Sequence, residues 1–231
     1  MNDNKMDEIL KQAAQTPHTV DPALLDQVTS AIASSLSPVR PLPPSWALEG
    51  TLLAISVGVA IAGAARAGFY GFEKLGVAER GLIFPALGIF LWLAASAWVA
   101  ENIPGSRRRV SSGILLLIST AAMMVVFGVL FQNYQTTQFV SAGLTCLMTG
   151  LLHAIPTAFL GWWVLRRGFA VNSVAAGLAG GTIAGLAGLA MLELHCPNFQ
   201  ALHILIWHIA VVPVSGAMGA LLAWRFSRPT T

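Results

Sequence analysis

The stretch from Glu193 to His208, ELHCPNFQALHILIWH, concentrates side chains that bind metals or respond to redox state. It holds three of the five histidines and one of the two cysteines of the chain. Imidazole, thiolate and carboxylate groups ligate soft and borderline metal ions, and a thiol also senses oxidants. The stretch lies between two long apolar runs, so we expect a turn at a membrane face followed by the start of the next helix.

The composition indicates a membrane protein, so membrane-spanning helices must hold this stretch in place. Of 231 residues, 55% are hydrophobic and only 10% are charged, whereas soluble domains carry about 25% charged residues. Six apolar runs each approach the ~20 residues that span a bilayer as a helix. The predicted fold is an all-α membrane domain with six transmembrane helices at about 47–67, 81–100, 111–131, 139–165, 170–192 and 201–223.

The distribution of charge predicts the orientation. Ten of the 13 basic residues fall in the N-terminal segment, in the second and fourth linkers, or after the sixth run. By the positive-inside rule these parts face the cytoplasm. We therefore predict both termini inside and the Glu193–His208 stretch outside. The predicted domains are a cytoplasmic head and proline-rich tether (1–45), a transmembrane domain (46–226) and a cytoplasmic tail (227–231).

The head is predicted to form two short amphipathic helices joined to the membrane by a stiff polyproline-like tether. Two helices this short cannot bury a core alone, so their apolar stripes need a partner. Because the head carries more acids than bases, a protein partner is favoured over a lipid surface. A loosely ordered tail without a partner is the alternative. The predicted binding residues are Ile9, Leu10, Leu24, Leu25, Val28 and Ile32.

Helix spacing predicts that chemistry-bearing side chains converge on the outer side. Cys146 and His208 each lie about 10 Å below that surface, at 1.5 Å per helical residue, whereas Cys196 lies in the turn, where we expect it to be nearer to water than Cys146. They meet if the fourth and sixth helices are neighbours. Ionisable side chains inside a membrane are functional candidates. The candidate sensing or metal-binding residues are Cys146, Cys196, His195, His203, His208, the deeper His153, and Glu193 as a possible additional ligand.

Three interpretations of these residues remain open: metal or redox sensing, a structural disulfide between Cys146 and Cys196, and no special chemistry. The pattern lacks the paired spacing of standard zinc signatures. The sequence does not identify a permanently bound cofactor. The one candidate it offers is a heavy-metal ion that binds transiently. Nucleophile elbows, P-loops and paired acids are missing from the sequence, which predicts a protein that is not an enzyme. A net charge of +3 is too weak to indicate direct nucleic-acid binding.

The fifth run carries glycines at a spacing of four, at Gly177, Gly181 and Gly185. Small residues at this spacing let membrane helices approach closely. The row predicts a packing seam within the chain, with a homo-oligomer face as the alternative.

Taken together, the chain resembles the NrsF-type family of bacterial six-helix membrane anti-sigma factors, the negative regulators of sigma F. The resemblance is carried by the short head, the VRPLPP tether at Val39 to Pro44, the six spans, Cys146, and the HCP turn at His195 to Pro197. It covers nearly the whole chain.

The resemblance implies a function for both ends of the protein. The head would bind an extracytoplasmic-function sigma factor and hold it inactive at the bacterial inner membrane. A signal outside the cytoplasm, with heavy metals as the leading type, would act through Cys146 and Cys196 and release the sigma factor. The residues alone leave two other classes open, a small metal or solute transporter with a path lined by His153 and His208, and a structural membrane subunit.

Overall fold

The computed structural model describes residues 8, 11, 21–35, 42–106, 110–136 and 138–227. The chain divides into two units, Met1–Pro41 and Leu42–Thr231. In the first unit, helix α1 spans Pro22–Ser35, and the Asp21 carboxylate accepts a hydrogen bond from the Ala23 N–H at 3.0 Å. Such a bond satisfies one of the free N–H groups of the first helical turn. The predicted binding residues Ile9 and Leu10 lie outside the described residues.

Among the described residues of the second unit, six helices are long and apolar enough to cross a membrane, which confirms the predicted number of spans. A short helix that the sequence did not predict, α3, follows the first of them. The helices are α2 (Ser45–Ala67), α3 (Tyr70–Lys74), α4 (Val77–Asn102), α5 (Ser112–Leu130), α6 (Phe139–Leu165), α7 (Ser173–His195) and α8 (Ala201–Ser227).

Helix α7 is the centre of this bundle. It contacts each of the other six helices of the second unit. In its most apolar window 78% of the residues are buried, compared with 17% to 50% in the other five spans. Small side chains make this possible, because they allow several helix backbones to surround one helix closely. A displacement of α7 would therefore act on a helix that touches every other helix of the second unit.

The predicted glycine seam lies between α7 and α8. A Cβ atom on Gly181 would collide with the carbonyl oxygen of Ser215, and one on Gly185 would lie 2.7 Å from the Cα atom of Val212. Gly177 likewise meets the backbone of Gly219. The row is thus occupied by a helix of the same chain, as the intramolecular interpretation predicts.

The linkers meet in two groups at opposite ends of the spans. At one end, the Ala201 N–H donates to the Asn133 carbonyl at 2.7 Å and a ring nitrogen of His195 lies 3.0 Å from the Gly68 carbonyl. At the other end, the Phe169 N–H donates to the Asn102 carbonyl at 2.9 Å. Successive membrane spans run in opposite directions, so successive linkers must lie at opposite ends, as observed here. The assignment of the second group to the cytoplasm stays a prediction from the charges.

Candidate functional site

The last turn of α7 brings two of the candidate residues to the end of the bundle. Glu193 lies in this turn and is 1% exposed. Cys196 caps the helix, with its N–H donating to the Leu192 carbonyl at 2.7 Å. Cys196 is itself buried. The polar groups of this turn therefore point into the protein, where each needs a partner.

A π-helical segment at Ile204–His208 positions two histidines at the start of α8. In a regular α-helix, residues five apart project about 140° from each other. The π-helix closes hydrogen bonds between residues i and i+5, so His203 and His208 come to the same side. Their ring centroids are 5.0 Å apart at an interplanar angle of 74°. Segments of this kind are frequent at functional sites.

Helix α6 completes the cluster with Cys146. Its Sγ lies 3.5 Å from the Sγ of Cys196, which in turn lies 3.8 Å from Nε2 of His203. With His208 included, one ligand atom from each of the four residues lies within 4.8 Å of the others. The predicted convergence of α6 and α8 is thus confirmed. The structure brings Cys146, Cys196, His203 and His208 together.

The dimensions of this cluster suit a tetrahedral metal ion. Zinc–sulfur and zinc–nitrogen bonds of about 2.3 and 2.0–2.1 Å place neighbouring ligand atoms about 3.3–3.8 Å apart. The separations of 3.5 Å between the thiols and 3.8 Å from Cys196 to His203 match this range. Among the described residues, Nε2 of His208 has no hydrogen-bond partner although it is buried. These four residues can therefore hold a metal ion.

Glu193 lies beside the four residues and contacts only one of them through a close polar bond. Its Oε1 accepts a hydrogen bond from Nδ1 of His208 at 2.7 Å, and both side chains are 1% exposed. The sequence suggested Glu193 as an additional ligand. Its Oε1 contacts Nδ1 of His208, and its Oε2 is buried without a hydrogen-bond partner among the described residues. A ligand role for Glu193 stays a prediction.

The two thiols differ in accessibility, in the opposite sense to the one expected. The sequence placed Cys196 nearer to water, but it is buried and Cys146 is half-buried. Helix α3 packs against the backbone of Cys196, where a Cβ atom on Gly71 would lie 2.8 Å from the Cys196 carbonyl oxygen. The contact with Cys146 and the burial raise the pKa of the Cys196 thiol. Both cysteines are free thiols.

Two predicted histidines lie elsewhere. A ring nitrogen of His195 bonds to the Gly68 carbonyl, and its ring lies 6.0 Å from that of Tyr70. His153 donates through Nδ1 to the Thr149 carbonyl of its own helix at 2.8 Å, and its ring packs against Gly63 of α2. His153 thus lies at the α2–α6 interface and is not among the four clustered residues.

Comparison with known proteins bears on this arrangement. The family model described as negative regulator of sigma F, NrsF, matches residues 32–228. The matched region includes the tether, all six spans and the four clustered residues. Comparisons with curated proteins and with solved structures found no match. Since the family match covers well over half of the chain, the protein belongs to the NrsF family of negative regulators of sigma F.

Proposed function

We propose that this protein is a membrane-bound anti-sigma factor of the bacterial inner membrane. Its N-terminal head, residues 1–45, binds an extracytoplasmic-function sigma factor, and a metal or redox signal from outside the cytoplasm releases it through Cys146 and Cys196. The observation that carries the proposal is the membership of the NrsF family together with the buried thiol and imidazole cluster. The six spans supply the membrane anchor.

The apolar stripe on α1 supports the head as the sigma-binding surface. Leu24, Leu25 and Val28 are 53%, 52% and 47% exposed. Ile32 lies on the same stripe, at the first residue of the family match. An amphipathic helix with an exposed apolar face gains stability by laying that face in a groove of a partner. Burying one such side chain contributes about 1.5–3 kcal/mol.

The cysteines support the proposed sensor because they join separate helices. Cys146 belongs to α6, and Cys196 follows the last turn of α7. Any reaction that engages both thiols, whether ligation or oxidation to a disulfide, constrains the ends of these two helices relative to each other. Since α7 touches every other helix of the bundle, such a constraint reaches the helix from which the tether extends. We propose this as the route to the head.

The head is tested by pull-down of the sigma factor with the full-length protein carrying Leu25→Glu and Val28→Glu. Two buried apolar contacts are lost, so we expect affinity to fall at least about 100-fold, at about 1.4 kcal/mol per tenfold. The matched control is Gln27→Glu with Ser30→Glu, which adds the same charges with the same spacing on another side of α1. Equal retention of the sigma factor by the two double variants would exclude this surface.

A further inference from the structure

We propose that Glu193 is a positioning residue for a tetrahedral site that takes a thiophilic divalent cation of the zinc class. The ligands would be Cys146, Cys196, His203 and Nε2 of His208. This inference rests on the proposed sensing role of the two cysteines and extends the site to two histidines and a carboxylate. It concerns how Glu193 orients the imidazole ring of His208. Its test does not depend on the sigma factor.

The first support is the burial of Glu193. A carboxylate loses much hydration free energy when it is buried, and it persists in a protein interior only with a strong partner. Glu193 is 1% exposed, and its short bond is the one to His208. Membrane proteins keep such buried ionisable groups mainly where they serve a function.

The second support is the choice of ring nitrogen. With Nδ1 donating to Glu193, the neutral imidazole of His208 carries its lone pair on Nε2. That atom is buried without a hydrogen-bond partner among the described residues. Histidines that ligate metals commonly donate their other ring N–H to a carboxylate, which fixes the tautomer and ring orientation and makes the ligating nitrogen more basic. Glu193 and His208 have the geometry of this arrangement, with Nδ1 of His208 2.7 Å from Oε1 of Glu193.

The third support is the donor set, which selects the class of ion. Two thiolates and two imidazoles in a compact cluster favour zinc-class ions in tetrahedral geometry. Magnesium and calcium prefer oxygen ligands, and copper(II) prefers a tetragonal arrangement. The separations between the thiols and from Cys196 to His203, 3.5 and 3.8 Å, require little rearrangement for a tetrahedral ion.

The test uses cobalt(II) as a spectroscopic probe, titrated into the purified full-length protein in detergent. Wild-type protein is expected to bind one cobalt ion with the visible bands of tetrahedral thiolate and imidazole coordination. Glu193→Gln keeps an oxygen acceptor for Nδ1 but loses the charge, so it should bind about 10–100-fold more weakly with the tetrahedral bands retained. Glu193→Ala should shift the spectrum towards that of His208→Ala.

A double-mutant cycle isolates the positioning role. If Glu193 acts through His208, the loss of affinity in Glu193→Ala with His208→Ala should equal that of His208→Ala alone. Glu101→Gln is the matched control, because Glu101 is also a buried carboxylate, at the opposite end of the spans. It should leave the cobalt affinity unchanged. Glu193→Gln carries the test if Glu193→Ala does not fold.

The outcomes separate this inference from the proposed function. Wild-type affinity and spectrum in Glu193→Gln, or fully additive losses in the cycle, would overturn the positioning role and leave the cysteine sensor intact. Wild-type cobalt binding by Cys146→Ser and Cys196→Ser would overturn the cysteines as ligands. A wild-type protein that binds no cobalt would overturn the site itself, while sigma-factor capture by the head would still stand.

Discussion

Helices α7 and α8 meet in two regions of opposite character. Along most of their length the contact is made by glycines and backbone atoms, as where Gly181 faces the Ser215 carbonyl. At the end near Cys196, the same two helices enclose a carboxylate and two imidazoles, and α6 adds a thiol. The first region has no room for another atom. Ionisable side chains gather in the second. Among the described residues, buried polar atoms without hydrogen-bond partners lie in both regions, Oγ of Ser215 in the first and Nε2 of His208 and Oε2 of Glu193 in the second.

The glycine-lined region is expected to be rigid, and the region of the cluster is expected to respond to a ligand. Close backbone packing transmits displacement, because its atoms cannot absorb movement. A buried polar atom without a partner costs about 1–3 kcal/mol, so the cluster gains stability when a ligand satisfies such atoms. The proposed sensing role requires both properties, and the two lie next to each other on one pair of helices.

The largest expected effect comes from filling the seam. Gly181→Leu forces a side chain against the α8 backbone and should reduce the free energy of unfolding by about 3 kcal/mol or more. The matched control is Gly58→Leu in α2, where an added Cβ meets no atom within 4 Å. Unfolding of both variants in detergent micelles measures the difference. Similar stability of the two variants would show that the α7–α8 contact is not tightly packed.

A smaller effect with the opposite sign is expected in the cluster. His203 is completely buried and its Nδ1 has no hydrogen-bond partner among the described residues. His203→Leu removes this atom together with the contact of Nε2 with the Cys196 thiol at 3.8 Å. Because sulfur is a weak hydrogen-bonding group, the cost of burying Nδ1 outweighs the lost contact, and the metal-free protein should be stabilised by about 1 kcal/mol. The control His195→Leu removes the bond to Gly68 and should destabilise it. If His203→Leu destabilises the protein as much as His195→Leu does, the cluster is an ordinary packed core and the comparison fails.

The sequence predicted the spans well because hydropathy depends on side-chain type and not on tertiary contacts. All six were found within a few residues, and the glycine row correctly predicted a seam inside the chain. Helix α3 was missed because Tyr70–Lys74 is too short to show a period. The sequence pattern also gave no indication that α7 is the central helix, since burial depends on which helices surround it.

The candidate site was predicted in part, for a similar reason. Depth along the helices correctly brought Cys146 close to His208. The convergence of His203 and His208 depends on a π-helical segment, which tertiary contacts select and which has no clear sequence signal. Residue type could not separate Glu193 as a partner of His208 from Glu193 as a ligand. The sequence did not predict that Cys196 is the more buried of the two thiols, because burial depends on the elements that surround a residue.

The most direct test follows the sigma factor. Membranes that carry the full-length protein and its bound sigma factor are exposed to zinc or cadmium ions, and the fraction of sigma factor that remains bound is measured. We expect release from wild-type protein, and retention by Cys146→Ser and by Cys196→Ser, each of which still binds the sigma factor before exposure. Release from both variants at the wild-type metal concentration would show that the cysteines are structural and would contradict the account.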